Sequence, residues 1–286
     1  MAYKIITDTG CDIKRELLEK WDVDLLSLAF RFTDDDVLHT EDDMGVDAFY
    51  AEMRGGRVAK TSAINGETFK TEFAKYLKEG TDVLYIGFSS GLSSTYSSAY
   101  LAAEALRSEY PERKVITVDT LAASAGQGLI VYLATKARDE GKSIEELAEY
   151  VKEISPKVAH WVTVEDLVYL KRGGRVSSAS AFFGNLLGIK PMIHVDDEGH
   201  LIPVAKVRGR RASLNYIVDK FGETVIDPTA TIFLSHADCL ADAEYVRDEI
   251  KKKYNADIEL ITDIGPVIGS HAGPGTVAFF FLAKER

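Results

Sequence analysis

Through the first half of the chain, short apolar runs ending in polar turns alternate with helical patterns, and that rhythm is what a parallel sheet with helical crossovers requires. Lys4 to Thr7, Val83 to Phe88 and Val115 to Val118 read as strands. The helices between them carry recognisable ends. Val46 to Arg54 stops at Gly55-Gly56, Glu67 to Lys78 stops before Gly80, and Ser143 with Glu146 makes a capping box. The helix from Ser143 to Ile154 meets Ser155-Pro156, where proline ends it and a domain boundary is expected. The second half has apolar runs at His160 to Val164, Met192 to Val195, Ile202 to Val207, Ala230 to Ser235, Ile258 to Ile261 and Val277 to Leu282, with a hairpin turn at Asp196-Asp197-Glu198-Gly199. The expected class is α/β: a parallel-sheet α/β/α N-terminal domain over residues 1–155 and a smaller α/β C-terminal domain with a mixed or antiparallel sheet over residues 156–286.

Charge and cysteine placement narrow the function class. The chain carries 34 Lys plus Arg against 45 Asp plus Glu, a formal charge of −11, which argues against nucleic acid as the main partner because phosphate binding needs a basic face. Cys11 and Cys239 lie far apart without ligand spacing, so a reducing compartment is expected and neither a disulfide framework nor a zinc site is. The N-terminus runs straight into the first strand without a signal-peptide pattern, and no apolar run approaches the roughly 20 residues of a membrane span. The expected location is the cytoplasm.

The chemistry concentrates in the turn Ser89-Ser90-Gly91-Leu92-Ser93-Ser94-Thr95. Gly87-Phe88-Ser89-Ser90-Gly91 satisfies G-x-S-x-G, the nucleophile elbow of α/β hydrolases, and Asp238 or Asp263 and then His271 follow in the required order. A serine hydrolase using Ser89 is therefore the alternative reading, although an HGGG-type oxyanion motif is missing. The same residues fit a passive anion cradle, since the first turn of a helix presents unpaired N–H groups and a positive dipole end. Helix capping alone needs only one hydroxyl.

Other segments supply similar chemistry. Lys60 to Gly66 contains Thr61 and Ser62 and leads into the Glu67 helix, with Asn65 as its cap. Ile264 to Gly275, holding Gly269 and His271, reads as too rich in Gly and Pro for a regular element and as a loop open to close ligand approach. Asp8 and Asp119 end strands where open α/β sheets place ligands, though Asp8 serves equally as a turn cap. Lys171, Arg172 and Arg175, with Arg208, Arg210 and Arg211, form a basic cluster in an acidic chain, either a solvated face or a docking surface. Ala181 to Leu187 and Ala278 to Leu282 are apolar bulk for a core or a lined tunnel. With no Walker A, no G-x-G-x-x-G after the first strand and no His-rich ligand set, no nucleotide, metal or other cofactor is expected.

Together Ile6-Thr7-Asp8-Thr9, Thr61-Ser62, Ser90 to Tyr96, Val118 to Ser124, Leu167 to Arg175, Gly188 to Val195, Val207-Arg208-Gly209 and Gly265 to His271 resemble the DegV family from end to end. The resemblance implies a carrier without catalytic residues that encloses a long-chain fatty acid between two domains. It also implies a lipid-binding subunit of bacterial fatty acid kinase, whose separate catalytic subunit brings ATP and metal and makes the acyl phosphate. It places Thr61, Ser62 and Ser93 at head-group positions and His271 on the histidine of the C-terminal Gly-Pro motif; Ser94 and Thr95 of the hydroxyl turn, Asp8 at its strand end and Gly269 of the Gly-rich segment complete the expected ligand-binding set. Arg172, Arg175, Arg208 and Arg210 fall in loops implied to face the kinase. The N-terminal domain would then carry the head group and the C-terminal domain would cover the acyl tunnel. The chain departs from the family's usual pattern at Asp8-Thr9-Gly10-Cys11, Ser93-Ser94-Thr95 and Ala63-Ile64-Asn65. A different apolar carboxylate, with no kinase partner, is also compatible with these residues.

Overall fold

The computed structural model describes residues 3–176 and 188–284, so the apolar segment from Ala181 to Leu187 lies outside the described residues. In chain order the elements are β1 (Tyr3–Asp8), α1 (Arg15–Lys20), β2 (Val23–Leu26), β3 (Ala29–Phe32), α2 (Val46–Arg54), β4 (Ala59–Ser62), α3 (Gly66–Lys78), β5 (Asp82–Gly87), α4 (Thr95–Glu109) and β6 (Val115–Asp119). They continue with α5 (Ala125–Asp139), α6 (Ile144–Ile154), β7 (Val158–Thr163), α7 (Val168–Gly173), β8 (Ile189–Val195), β9 (Leu201–Arg208), α8 (Arg210–Thr224), β10 (Phe233–His236), α9 (Leu240–Tyr254), β11 (Leu260–Asp263), α10 (Pro266–Ala272) and β12 (Val277–Leu282).

The expected α/β class is observed. One sheet, ordered β2-β1-β5-β6, is parallel throughout. The other, ordered β11-β10-β12-β7-β8-β9, is mixed, with β10 and β11 parallel and the remaining pairs antiparallel. The parallel sheet is buried on both faces, as crossover helices demand. Phe69, Phe73 and Leu77 of α3 and Ala99, Ala103 and Leu106 of α4 cover one side, and Leu129, Val131, Leu147 and Val151 of α5 and α6 cover the other. In the mixed sheet, β7 alternates: Ala159 and Trp161 face the apolar side of α8, whereas His160, Val162 and Val164 face the opposite way.

Helix α5 belongs to both sheets. Its first seven residues, Ala125 to Val131, are all buried, the signature of a helix that is covered all round. Small residues let it sit that close. A side chain at Gly128 would strike Ile13, and one at Gly126 would strike His160 and Phe280 of the mixed sheet.

The segment from β3 to β4 is an excursion from the parallel sheet, forming a two-stranded antiparallel ribbon closed by α2. Its Phe30, Phe32, Phe49 and Tyr50 form a separate core with Ile264, and Tyr50 Oη donates to the Ile264 carbonyl at 2.8 Å. This flap therefore holds α10. Two expectations are corrected here. The stretch from Ile264 to Gly275 does contain a regular element, because Pro266 occupies the first turn of α10, where its missing N–H costs nothing. The stretch from Lys60 to Ser62 belongs to a strand, β4, whose pairing partner β3 lies about thirty residues upstream.

Candidate ligand-binding site

A cavity of about 270 Å³ lies between the two sheets, beyond the carboxyl ends of β2, β5 and β6, where Leu28, Phe88 and Ala123 line it, the side on which open α/β sheets bind ligands. Its wall is mostly aliphatic and aromatic, with Leu28, Phe88, Val162, Ile193, Ile268 and Phe280 among the residues that face it. Thr61, Ser93, Ser94, His271 and Arg175 gather at the end formed by β4, α10, the turn before α4 and the loop after α7, whereas Ser124 before α5 and His160 on β7 line the wall elsewhere.

Thr61, Ser93, Ser94 and His271 all line this cavity. Thr61 Oγ1 and His271 Nε2 are 2.8 Å apart, which joins the flap to α10. Ser93 Oγ lies 2.9 Å from Thr95 Oγ1 and accepts the Thr95 N–H. The buried Thr95 thus orients Ser93 rather than facing the cavity itself. Ser94 is exposed at the mouth.

Three other expected ligand residues stand elsewhere. Ser62 is exposed and off the cavity wall because alternation along β4 turns it away from Thr61. Asp8 is fully buried, accepting from Tyr85 Oη at 2.5 Å, Phe88 N at 3.0 Å and Gly10 N at 2.9 Å. It ties β1 to β5 and caps the following turn. Gly269 packs against α2, where a Cβ would come within 2.4 Å of Tyr50 Oη, so it is a spacing residue.

Arg175, expected on an outer docking face, is part of the cavity wall. The double glycine makes this possible: Gly174, at φ +68°, turns the chain back inward. The Arg175 guanidinium donates to Leu92 O at 3.3 Å and Gly173 O at 2.6 Å, which fixes its plane and places a fixed positive charge beside His271. Gly173 leaves no room for a side chain, since a Cβ there would lie 2.3 Å from His271 Nδ1. Arg210 is also withdrawn from docking, held by Asp242 at 2.7 Å and by the Gly275 carbonyl. Arg172 and Arg208 remain exposed.

Burial, aided by the Arg175 charge, pushes the His271 pKa down to about 4. At neutral pH the polar end therefore holds one guanidinium, a neutral imidazole and several hydroxyls, a set that complements a single anion. The Thr61–His271 contact resembles a nucleophile with its base, but His271 Nδ1 has no hydrogen-bond partner among the described residues, so the third group that orients a catalytic base is missing.

The hydrolase alternative fails on geometry. Ser89 is fully buried and outside the cavity wall; its Oγ donates to Gly199 O at 2.9 Å and accepts from Gly91 N at 3.2 Å. It fastens the β8–β9 turn to the parallel sheet. Neither candidate acid approaches His271's ring, for Asp238 pairs with Arg54 at 2.7 Å and Asp263 lies 3.6 Å from His236. In the same β8–β9 turn, Asp196, Glu198 and His200 bring ligand atoms within 4.8 Å of one another, while the Asp196 carboxylate closes the turn by accepting the N–H groups of Glu198 and His200.

The profile of the DegV family, described as an uncharacterised protein family, matches residues 2–284. The chain belongs to the DegV family. A DegV domain-containing protein of Clostridium perfringens is 41% identical over 99% of this chain and 98% of its own length. A protein of Thermotoga maritima described as a fatty acid-binding protein is 35% identical over 100% of this chain and 99% of its own. Among solved structures, a DegV family protein of Thermus thermophilus described as fatty acid binding superposes with a TM-score of 0.88 at 28% identity, covering 99% of this chain and 100% of that one. Within this DegV chain, sequence reasoning missed Arg175, Ser124, His160 and Thr276 as cavity residues. The alternation His160, Val162, Val164 was the available signal for one of them.

Proposed function

We propose that this chain binds a long-chain fatty acid, with the carboxylate held by Arg175, Thr61, Ser93 and His271 and the alkyl chain enclosed between the sheets. The observation that carries the reading is a cation, Arg175, gathered with the hydroxyls of Thr61, Ser93 and Ser94 at one end of a cavity whose described wall is otherwise mostly apolar. The descriptions of the Thermotoga and Thermus relatives support it. Each buried methylene contributes about 0.8 kcal/mol, so the chain supplies most of the affinity and the polar end fixes the direction of entry. Mass spectrometry of organic-solvent extracts should recover a stoichiometric fatty acid from the purified protein. Arg175→Ala should weaken its retention by roughly ten- to a hundredfold, as expected for a lost charge-assisted contact. An extract containing no carboxylic acid, or one in which a different ligand class is stoichiometric, would sink the reading.

A finer proposal is that the bound carboxylate is presented to a separate kinase that forms the acyl phosphate in the cytoplasm. Exposed Ser94 at the cavity, exposed Arg172 on α7 and exposed Arg208 at the end of β9 support it. Charge reversal of Arg172 and Arg208 together should remove acyl phosphate formation by the added kinase while leaving fatty acid retention unchanged. Undiminished turnover would rule out this docking face. No helix among the described residues is long and apolar enough to cross a membrane.

A further inference from the structure

The polar end of the cavity is fixed by α10 and α7, and the strands of the mixed sheet run away from it. Val164 and Thr276 stand at the near end: Glu165 packs on Gly275, Tyr169 on Gly273 and Gly173 on His271. Four residues down each strand are His160 and Phe280, which are register partners across β7 and β12; at about 3.3 Å per residue they lie roughly 13 Å deeper. The next pair on the same face, Val158 and Leu282, no longer lines the cavity and packs in the core beneath α5 and α6. The cavity thus ends at one rung of the sheet.

That rung is rigid. The His160 and Phe280 rings meet edge to face, with centroids 5.2 Å apart and planes at 88°. His160 Nδ1–H donates to Val158 O at 2.9 Å, which leaves Nε2 as the acceptor for Ala123 N–H at 3.4 Å. Behind the pair sits Gly126, where a Cβ would come within 2.3 Å of His160 Nε2 and 2.7 Å of a Phe280 ring carbon. Glycine inside a helix costs about 1 kcal/mol relative to alanine, and here it sets how far back the two rings can lie.

We infer that the His160–Phe280 pair, seated on Gly126, is the stop that sets the longest alkyl chain this protein accepts. The inference rests on the fatty acid reading above. Gly126→Ala drives the rings toward the ligand and should shift preference to shorter acids, with affinity for the longest acid retained by the unsubstituted protein falling about fourfold for each methylene that no longer fits. Phe280→Leu withdraws the stop and should shift preference to longer acids.

The test incubates delipidated protein with an equimolar series of straight-chain saturated acids from lauric to arachidic and reads the bound species by native mass spectrometry. Opposite shifts in the two variants support the inference. Wild-type length profiles in both, with normal total binding, overturn it. If Gly126→Ala does not fold, Phe280→Leu decides alone: a longer preference supports the stop and an unchanged one overturns it. Failure of the unsubstituted protein to bind any acid overturns the fatty acid reading itself, and the stop with it.

Discussion

Replacing Glu41 by glutamine is expected to stabilise the protein by on the order of 3 kcal/mol above neutral pH and to leave its stability unchanged below about pH 4.5. Glu41 lies in the loop before α2, against Gly265 at the start of α10. Its Oε1 has no hydrogen-bond partner and sits 2.3 Å from where a Gly265 Cβ would be; Asp12 Oδ1 is 3.1 Å from the same point. Asp12 is the better supported carboxylate, accepting from Ser124 Oγ at 2.5 Å and Gly265 N at 2.9 Å. Burial first, and then the neighbouring Asp42, push the Glu41 pKa from 4.5 up to about 7, against the opposing pull of Arg15.

Below pH 4.5 the folded and unfolded chains both hold this proton, so the full stability is present. Between the unfolded value and about 7 the unfolded chain has released it and the folded chain has not, and stability falls by roughly 1.4 kcal/mol per pH unit. Glutamine removes that slope. Urea unfolding of both proteins at about pH 5 and about pH 8 measures the difference. Parallel behaviour of the two proteins across that range would mean that Glu41 is already ionised in the folded state.

Phe49→Ala is expected to cost about 3 to 5 kcal/mol, the range for removing a large buried aromatic side chain. Phe49 is wholly buried and touches Phe30, Phe32 and Tyr50 with ring centroids 5.1, 6.0 and 5.1 Å away. These rings hold the flap that supplies Thr61 and supports the helix carrying His271. Ligand retention should therefore fall along with stability. Leu101→Ala is the control, since Leu101 is 66% exposed on α4. A loss below about 1 kcal/mol for Phe49→Ala, inside the range of surface changes, would show that the flap is not held by this core.

The elements that sequence makes visible are those whose signals are local. The six buried residues of β5 and the capping box at Ser143 are of that kind, as is Asn65, whose side chain accepts the Thr68 N–H. Each depends on neighbours within a turn or a strand. β4 is invisible because Ala59-Lys60-Thr61-Ser62 has too little apolar contrast to announce a strand; its partner across the flap creates it. α10 is hidden by its own composition, since Gly269 is there for Tyr50 and not for the helix. Arg175 looked like a surface cation because nothing local distinguishes an arginine that turns inward from one that does not. The cue was the pair Gly173-Gly174, one glycine for the reversal and one for the imidazole behind it. The hydroxyl turn misled in the opposite direction: five hydroxyl side chains suggested one common task, yet Ser89 fastens the β8–β9 turn, Thr95 orients, and only Ser93 and Ser94 face the cavity.

The position of α5 has a consequence for how the chain can be divided. Because the same helix covers the parallel sheet on one side and touches Phe233, Ala278 and Phe280 of the mixed sheet on the other, each sheet has one face whose core it shares with the other. A fragment ending after α6 would keep α5 but expose the face that receives the mixed sheet. The complementary fragment would lose its cover over β10 and β12. The two halves are therefore expected to unfold together, with the ligand chamber lying along a seam of the interior they share through α5.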